Sequence, residues 1–301
     1  MLAGLWSGPA DARLLADQPY RIIGSTRLVT QVMVDGQGPF TFLIDTASSR
    51  SLIYEHVRAQ LGLAQSQPEH LVIYGINEKS TALPVQPRAL SIGGETISGL
   101  VMGVLPDTPG EETRLDGVLG IDALSRYIMV LDRAAMRLKL MTPDAPEARD
   151  YRRWSSIALV PRQLKNIPVS FWYVRFAYNG VPINTLFDLG SGITMLNWPA
   201  AELLGLRKSK FKPYGPPPVD VRDILGADAP AVRLSELRIE MPGIVWRNQT
   251  GLVSGAPVFD LFGLDEAPAV IAGPGLFKAN SLAIDFPGHR LYVGPAVEEG
   301  S

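Results

Sequence analysis

The sequence predicts a mostly antiparallel β protein built as two pseudo-symmetric lobes, and three observations lead there. Its 29 glycines and 25 prolines are dispersed through 301 residues that are 46% apolar, which reads as many short strands joined by turns and not as a disordered tract. Helical periodicity is scarce. One pattern of strands and turns is written twice, so each half is a template for the other.

In the first half, residues 28–34 are apolar-rich, Asp35-Gly36 supplies a hairpin turn, and residues 40–44 return as a strand that ends at Asp45. A loop of small residues and a short helical stretch then lead to Gly62. Residues 70–75 and 81–85 read as a hairpin turning through Ile76-Asn77-Glu78, and residues 89–92 and 96–104 as another around Gly93-Gly94. Val118-Leu119-Gly120 precedes a strand over 128–131, Asp132, and a strand over 137–140. The second half repeats the order: strands over 169–178 and 181–187 flank Asn179-Gly180 and end at Asp188, and a stretch from Pro199 leads to Gly205. A hairpin over 232–240 and 244–253 follows, then Ile271-Ala272-Gly273, a strand over 282–284, Asp285, and a strand over 290–293.

The spacing supports the duplication. Asp45 to Gly62 and Asp188 to Gly205 are both 17 residues, and an offset of 153 relates Gly120 to Gly273, Asp132 to Asp285 and Leu138 to Leu291. The predicted organisation is a tail over 1–19, a first lobe over 20–140, a proline- and charge-rich linker over 141–166 carrying one strand near 157–160, a second lobe over 167–294, and a tail over 295–301.

Composition excludes several functions. With 28 basic against 30 acidic residues and no basic stripe, nucleic acid is not an expected partner. The absence of cysteine removes disulfides, thiolate nucleophiles and Cys-ligated metals. His56, His70 and His289 are not at metal-ligand spacing, so a histidine-rich metal site is not expected. No window holds the roughly 18 apolar residues of a membrane-spanning helix. There is no Gly-x-Ser-x-Gly elbow and no His-Glu-x-x-His, and Gly273-Pro274-Gly275 runs into Leu-Phe-Lys, not into a phosphate loop. Trp172, Trp198 and Trp246 read as packing. Ala10-Asp11-Ala12 has the small-x-small pattern of a signal-peptidase site, which predicts an exported, periplasmic or secreted protein.

Each half ends a buried-looking strand in an aspartate followed by small or hydroxyl residues, Asp45-Thr46-Ala47-Ser48 and Asp188-Leu189-Gly190-Ser191. One such aspartate reads as a strand-end turn. Two related by a pseudo-twofold axis can meet, and like charges a few ångströms apart then hold one proton between them.

These loops, with Leu119-Gly120 and Ala272-Gly273, give residues 27–294 a pattern that resembles the aspartic peptidases, specifically the bacterial retropepsin-like proteins with two pepsin-like lobes in one chain. The resemblance implies an aspartic endopeptidase without metal or cofactor, in which Asp45 and Asp188 activate a water against an extended peptide or protein substrate. It implies supporting roles for Thr46, Ser48, Gly190 and Ser191, with the two serine hydroxyls donating to the outer carboxylate oxygens. Tyr74-Gly75 then sits in a flap, and Tyr214-Gly215-Pro216-Pro217-Pro218 frames the opposite rim. One chain supplies both aspartates, which suits a monomer.

Two positions depart from the pattern. Ala47 replaces a glycine, and Leu189 replaces a threonine whose hydroxyl, in the family, bonds across the lobe boundary; leucine has no donor or acceptor. Thr46 is therefore expected to be braced on one side only, through backbone. The same departures support an alternative: a catalytically impaired pseudo-peptidase that binds a peptide or protein partner in the cleft.

Overall fold

The computed structural model describes residues 12–24, 26–75, 77–107, 114–164, 170–206, 219–222 and 228–297, with the side chains of 219–222 and 228–229 left aside. The chain is mostly β and forms two sheets. The hairpin turns expected at Asp35-Gly36 and Asn179-Gly180 are present, with both residues of each pair at positive φ, the conformation that lets a two-residue turn match strand twist.

The halves share a topology. In the first, strand Gln37–Ile44 pairs in parallel with Gly117–Leu119, which pairs antiparallel with Leu52–Tyr54. In the second, Val181–Phe187 pairs in parallel with Ala269–Ala272, which pairs antiparallel with Met195–Leu196. All these strands are rich in fully buried apolar side chains, among them Phe42, Ile44, Leu119, Leu186 and Phe187, and that burial sets their register.

Six strands of the larger sheet join the halves, in the order Leu14–Ile23, Arg137–Met141, Ile128–Asp132, Asn280–Asp285, Arg290–Ala296 and Ser155–Ala158. At their centre Met129 faces Ile284, Val130 faces Ala283 and Leu131 faces Leu282. Under the 153-residue offset Val130 and Ala283 are equivalents, and the flanking pairs exchange equivalents. The pseudo-twofold axis therefore passes between Val130 and Ala283.

Three expectations are corrected. Residues 14–19, expected in the tail, begin strand Leu14–Ile23, with Ala16 opposite Leu140 and Tyr20 opposite Thr30. Only Ala16 and Tyr20 of this strand are buried, so its apolar signal is weak and its pairing comes from a distant segment. The expected linker contains helix Ala148–Tyr151 and strands Ser155–Ala158 and Val160–Gln163, which edge the larger sheet and the second sheet respectively. Buried Leu159 turns the chain from one sheet to the other, its N–H donating to the His289 carbonyl at 3.0 Å. The stretch expected as one strand over 96–104 is two, Glu95–Ser98 and Met102–Leu105, serving different neighbours. Among the described residues no helix is long and apolar enough to cross a membrane.

Candidate active site

Each aspartate loop is held from behind by the glycine-ended strand. The Asp45 N–H donates to the Leu119 carbonyl at 3.0 Å and the Asp188 N–H to the Ala272 carbonyl at 3.1 Å. Glycine follows because the chains nearly touch. A Cβ on Gly120 would stand 2.5 Å from the Arg50 carbonyl carbon and 2.9 Å from Ser48 O; on Gly273 it would stand 2.6 Å from Ile193 O and 3.0 Å from Ser191 O. No side chain fits there.

The loops then aim backbone donors at the carboxylates. Asp45 Oδ1 accepts from the N–H groups of Ala47 and Ser48, both at 2.8 Å; Asp188 Oδ1 accepts from those of Gly190 at 2.8 Å and Ser191 at 3.0 Å. The serine hydroxyls point elsewhere, which corrects the expectation for Ser48 and Ser191. Ser48 Oγ donates to the Arg50 carbonyl and Ser191 Oγ to the Ile193 carbonyl, each at 2.7 Å. Both close the turn through which the glycine strand threads.

The structure brings the two aspartates to one cleft. The Asp45 carboxyl lies directly against the backbone of Gly190, where a Cβ would meet its Cγ at 2.2 Å and its Oδ2 at 2.3 Å. On the first loop the equivalent position carries the Ala47 methyl, so the surroundings of the two carboxyls differ. Burial raises the Asp45 pKa to about 6 although two backbone N–H bonds favour its ionised form. Asp188, 8% exposed, is pushed well above the ordinary carboxylate range, first by burial and second by the charge of Asp45. The two carboxyls therefore titrate as a pair and not as separate groups.

Thr46, fully buried, braces the junction between the two aspartate loops. Its hydroxyl donates to the Phe187 carbonyl at 2.8 Å and accepts from the Leu189 N–H at 2.9 Å. This is the one-sided backbone brace that Leu189 implied. Leu189 itself is fully buried in the main apolar cluster, trading a polar bridge for packing.

The hairpin Leu71–Tyr74 and Lys79–Val85 overhangs the cleft, its turn closed by the Gly75 N–H donating to Glu78 O at 2.8 Å. Alternation along the strand leaves Val72 and Tyr74 54% and 44% exposed, while Ile73 packs with Leu43, Leu52 and Leu115. Tyr74 and Gly75 line the cleft, as expected of a flap. Tyr214 to Pro218, expected at the opposite rim, lie outside the described residues.

Sequence reasoning missed the second wall of the cleft. It is formed by Phe171, Val258, Leu261 and Phe262, with the Phe171 and Phe262 rings edge to face at 4.9 Å. These are apolar residues without a motif, and only the register of strand Ser170–Tyr178 beside the Asp188 strand could have pointed to Phe171. Arg27 and Arg50 also line the cleft and were not singled out.

Residues 30–123 match a family model described as aspartyl protease. That stretch contains Asp45, the flap hairpin and Gly120. No curated protein sequence matches the chain. Among solved structures the chain is similar to the crystal structure of Basic 7S globulin from soybean, with a TM-score of 0.51, 13% identity, and coverage of 95% of this chain and 96% of that one. At that identity the likeness is one of fold, and the fold of this chain is aspartic-protease-like.

Proposed function

We propose that the protein is an aspartic endopeptidase whose catalytic pair is Asp45 and Asp188. One observation carries the reading: two equivalent carboxyls, each held by two backbone N–H groups, share the floor of a single cleft, and the second titrates high because of burial and the charge of the first. An aspartyl protease family match over the first half supports the reaction class.

The asymmetry assigns the roles. Asp45 ionises more readily and acts as general base, and the more deeply buried Asp188 holds the proton. A water between them loses a proton to Asp45 as its oxygen attacks the peptide carbonyl carbon, while Asp188 donates its proton to the carbonyl oxygen. The tetrahedral diol collapses as the C–N bond breaks. The departing nitrogen takes the proton held by Asp45, and a diol hydroxyl returns one to Asp188. Tyr74 closes over the substrate and excludes bulk water. The substrate lies extended in the cleft as an added strand, and a single chain supplies both carboxyls, so a monomer suffices. The Ala10-Asp11-Ala12 pattern, of which residues 10 and 11 lie outside the described residues, supports an exported protein.

Asp45→Asn or Asp188→Asn should lower casein cleavage at least about a thousandfold, because removing one member disables the pair. Cleavage that persists in both variants ends the reading. The Leu189 and Ala47 departures favour one second reading, a non-hydrolysing peptide binder. It predicts that the parent protein binds peptides without ever turning one over.

A further inference from the structure

The cleft is charged in a way that its catalytic pair does not explain. Four ionisable side chains among the described residues line it, Asp45, Asp188, Arg27 and Arg50; the rest are apolar, tyrosine, glycine or serine. The carboxyls belong to the catalytic pair; the Arg50 guanidinium does not, and low-dielectric walls strengthen the field of such a charge.

The guanidiniums belong to different loops. Arg50 closes the Asp45 loop, where its carbonyl accepts from Ser48 Oγ at 2.7 Å. Arg27 follows Thr26, whose hydroxyl donates to Gly192 O at 2.8 Å, so it stands beside the Asp188 loop. Among the described residues Arg50 makes no ion pair. Asp122, the acid that senses its charge, is held instead through Oδ1 by the Ser51 N–H, the Ser51 hydroxyl and the Ala123 N–H. Arg50 is thus a cation of the cleft lining without a carboxylate bonded to it among the described residues. A partly desolvated cation of this kind favours a carboxylate from the ligand.

We infer that the cleft selects peptides carrying an acidic side chain within a few residues of the cleaved bond, among bulky apolar ones, and that Arg50 reads that acid. The inference rests on the peptidase reading and names its substrate class. The apolar requirement comes from the facing walls, Leu52 and Leu115 against Phe171 and Phe262. The acidic requirement comes from Arg50.

The test uses the full chain and short fluorogenic peptides with a Phe-Leu centre, in which Glu, Gln or Lys is moved through the flanking positions. At one position Glu should raise kcat/KM about fivefold over Gln and about tenfold over Lys, and about 1 M salt should shrink the gap. Arg50→Gln should erase the difference between Glu and Gln, Arg50→Glu should reverse the order in favour of Lys, and Arg50→Lys should keep the preference for Glu. Equal rates for Glu, Gln and Lys at every position, or a Glu preference intact in Arg50→Glu, overturns the inference. If no peptide is cut, the peptidase reading fails on its own, and fluorescence anisotropy with the same peptides decides the selection. Tighter binding of the Glu peptide that is lost in Arg50→Gln upholds it, and equal binding ends it.

Discussion

Thr46 shows how much one hydroxyl carries when its counterpart is missing. It satisfies two buried backbone groups of the other half, Phe187 O and Leu189 N–H, and unsatisfied buried groups cost about 1–3 kcal/mol each. Thr46→Val should therefore destabilise the protein by about 2–4 kcal/mol and lower kcat more than it raises KM, because the loops lose their alignment. Thr46→Ser keeps the hydroxyl and should restore most of both; chemical denaturation and steady-state kinetics read the outcome. Leu189→Thr restores the family's residue but not its benefit, since it empties apolar volume in a packed cluster. A loss of about 1–3 kcal/mol on denaturation is expected, and a gain in stability would show that the polar bridge forms. At this scale the sequence was legible where chemistry forces a residue type, as at Asp45, Asp188 and Thr46. It was silent where rotamer choice decides, as with the Ser48 and Ser191 hydroxyls, which bond carbonyls two residues on and not the carboxylates.

The aspartate loop with its threading strand is the repeated element, and its legibility came from spacing. Gly120 and Gly273 are both glycine because both face backbone at under 3 Å, a constraint that neither copy can relax. Gly120→Ala places a carbon against backbone that cannot rotate away, and a loss above about 4 kcal/mol is expected. Thermal unfolding or soluble yield measures it, and Gly62→Ala, with nothing within 4 Å but a positive φ, should cost only about 1 kcal/mol. Strands Leu14–Ile23 and Ser155–Ala158 were less legible. Each pairs with a strand more than 100 residues along the chain, and local periodicity carries no record of such pairing. The second cleft wall was hidden for a related reason: Val258 and Phe262 look like any packed residues until the fold turns them toward Asp188.

Proton binding is a property of the whole molecule, because the two carboxyls come from opposite halves. In the unfolded chain both ionise near 3.8; in the native protein Asp45 holds its proton to about 6 and Asp188 higher still. The native state thus binds more protons over that interval, and stability falls as pH rises through it. The contribution is complete below about pH 4 and lost above the native values. Asp188→Asn removes the cost of keeping that carboxyl protonated above its unfolded pKa and should stabilise the protein by about 1–3 kcal/mol at pH 7 and by almost nothing at pH 4. Urea denaturation at the two pH values measures this, and equal increments at both would mean that the Asp188 pKa is not raised by folding.

Under the proposed function, the seam between Val130 and Ala283 works as a caliper for a reaction it never touches. Sliding one central strand by a single position would turn inward-facing side chains to solvent and carry the acid and the base out of reach of a common water. The precision of the chemistry is therefore stored in hydrogen-bond registration remote from the carboxyls. Loss of turnover with both aspartates intact is the signature that a defect in this ruler would leave.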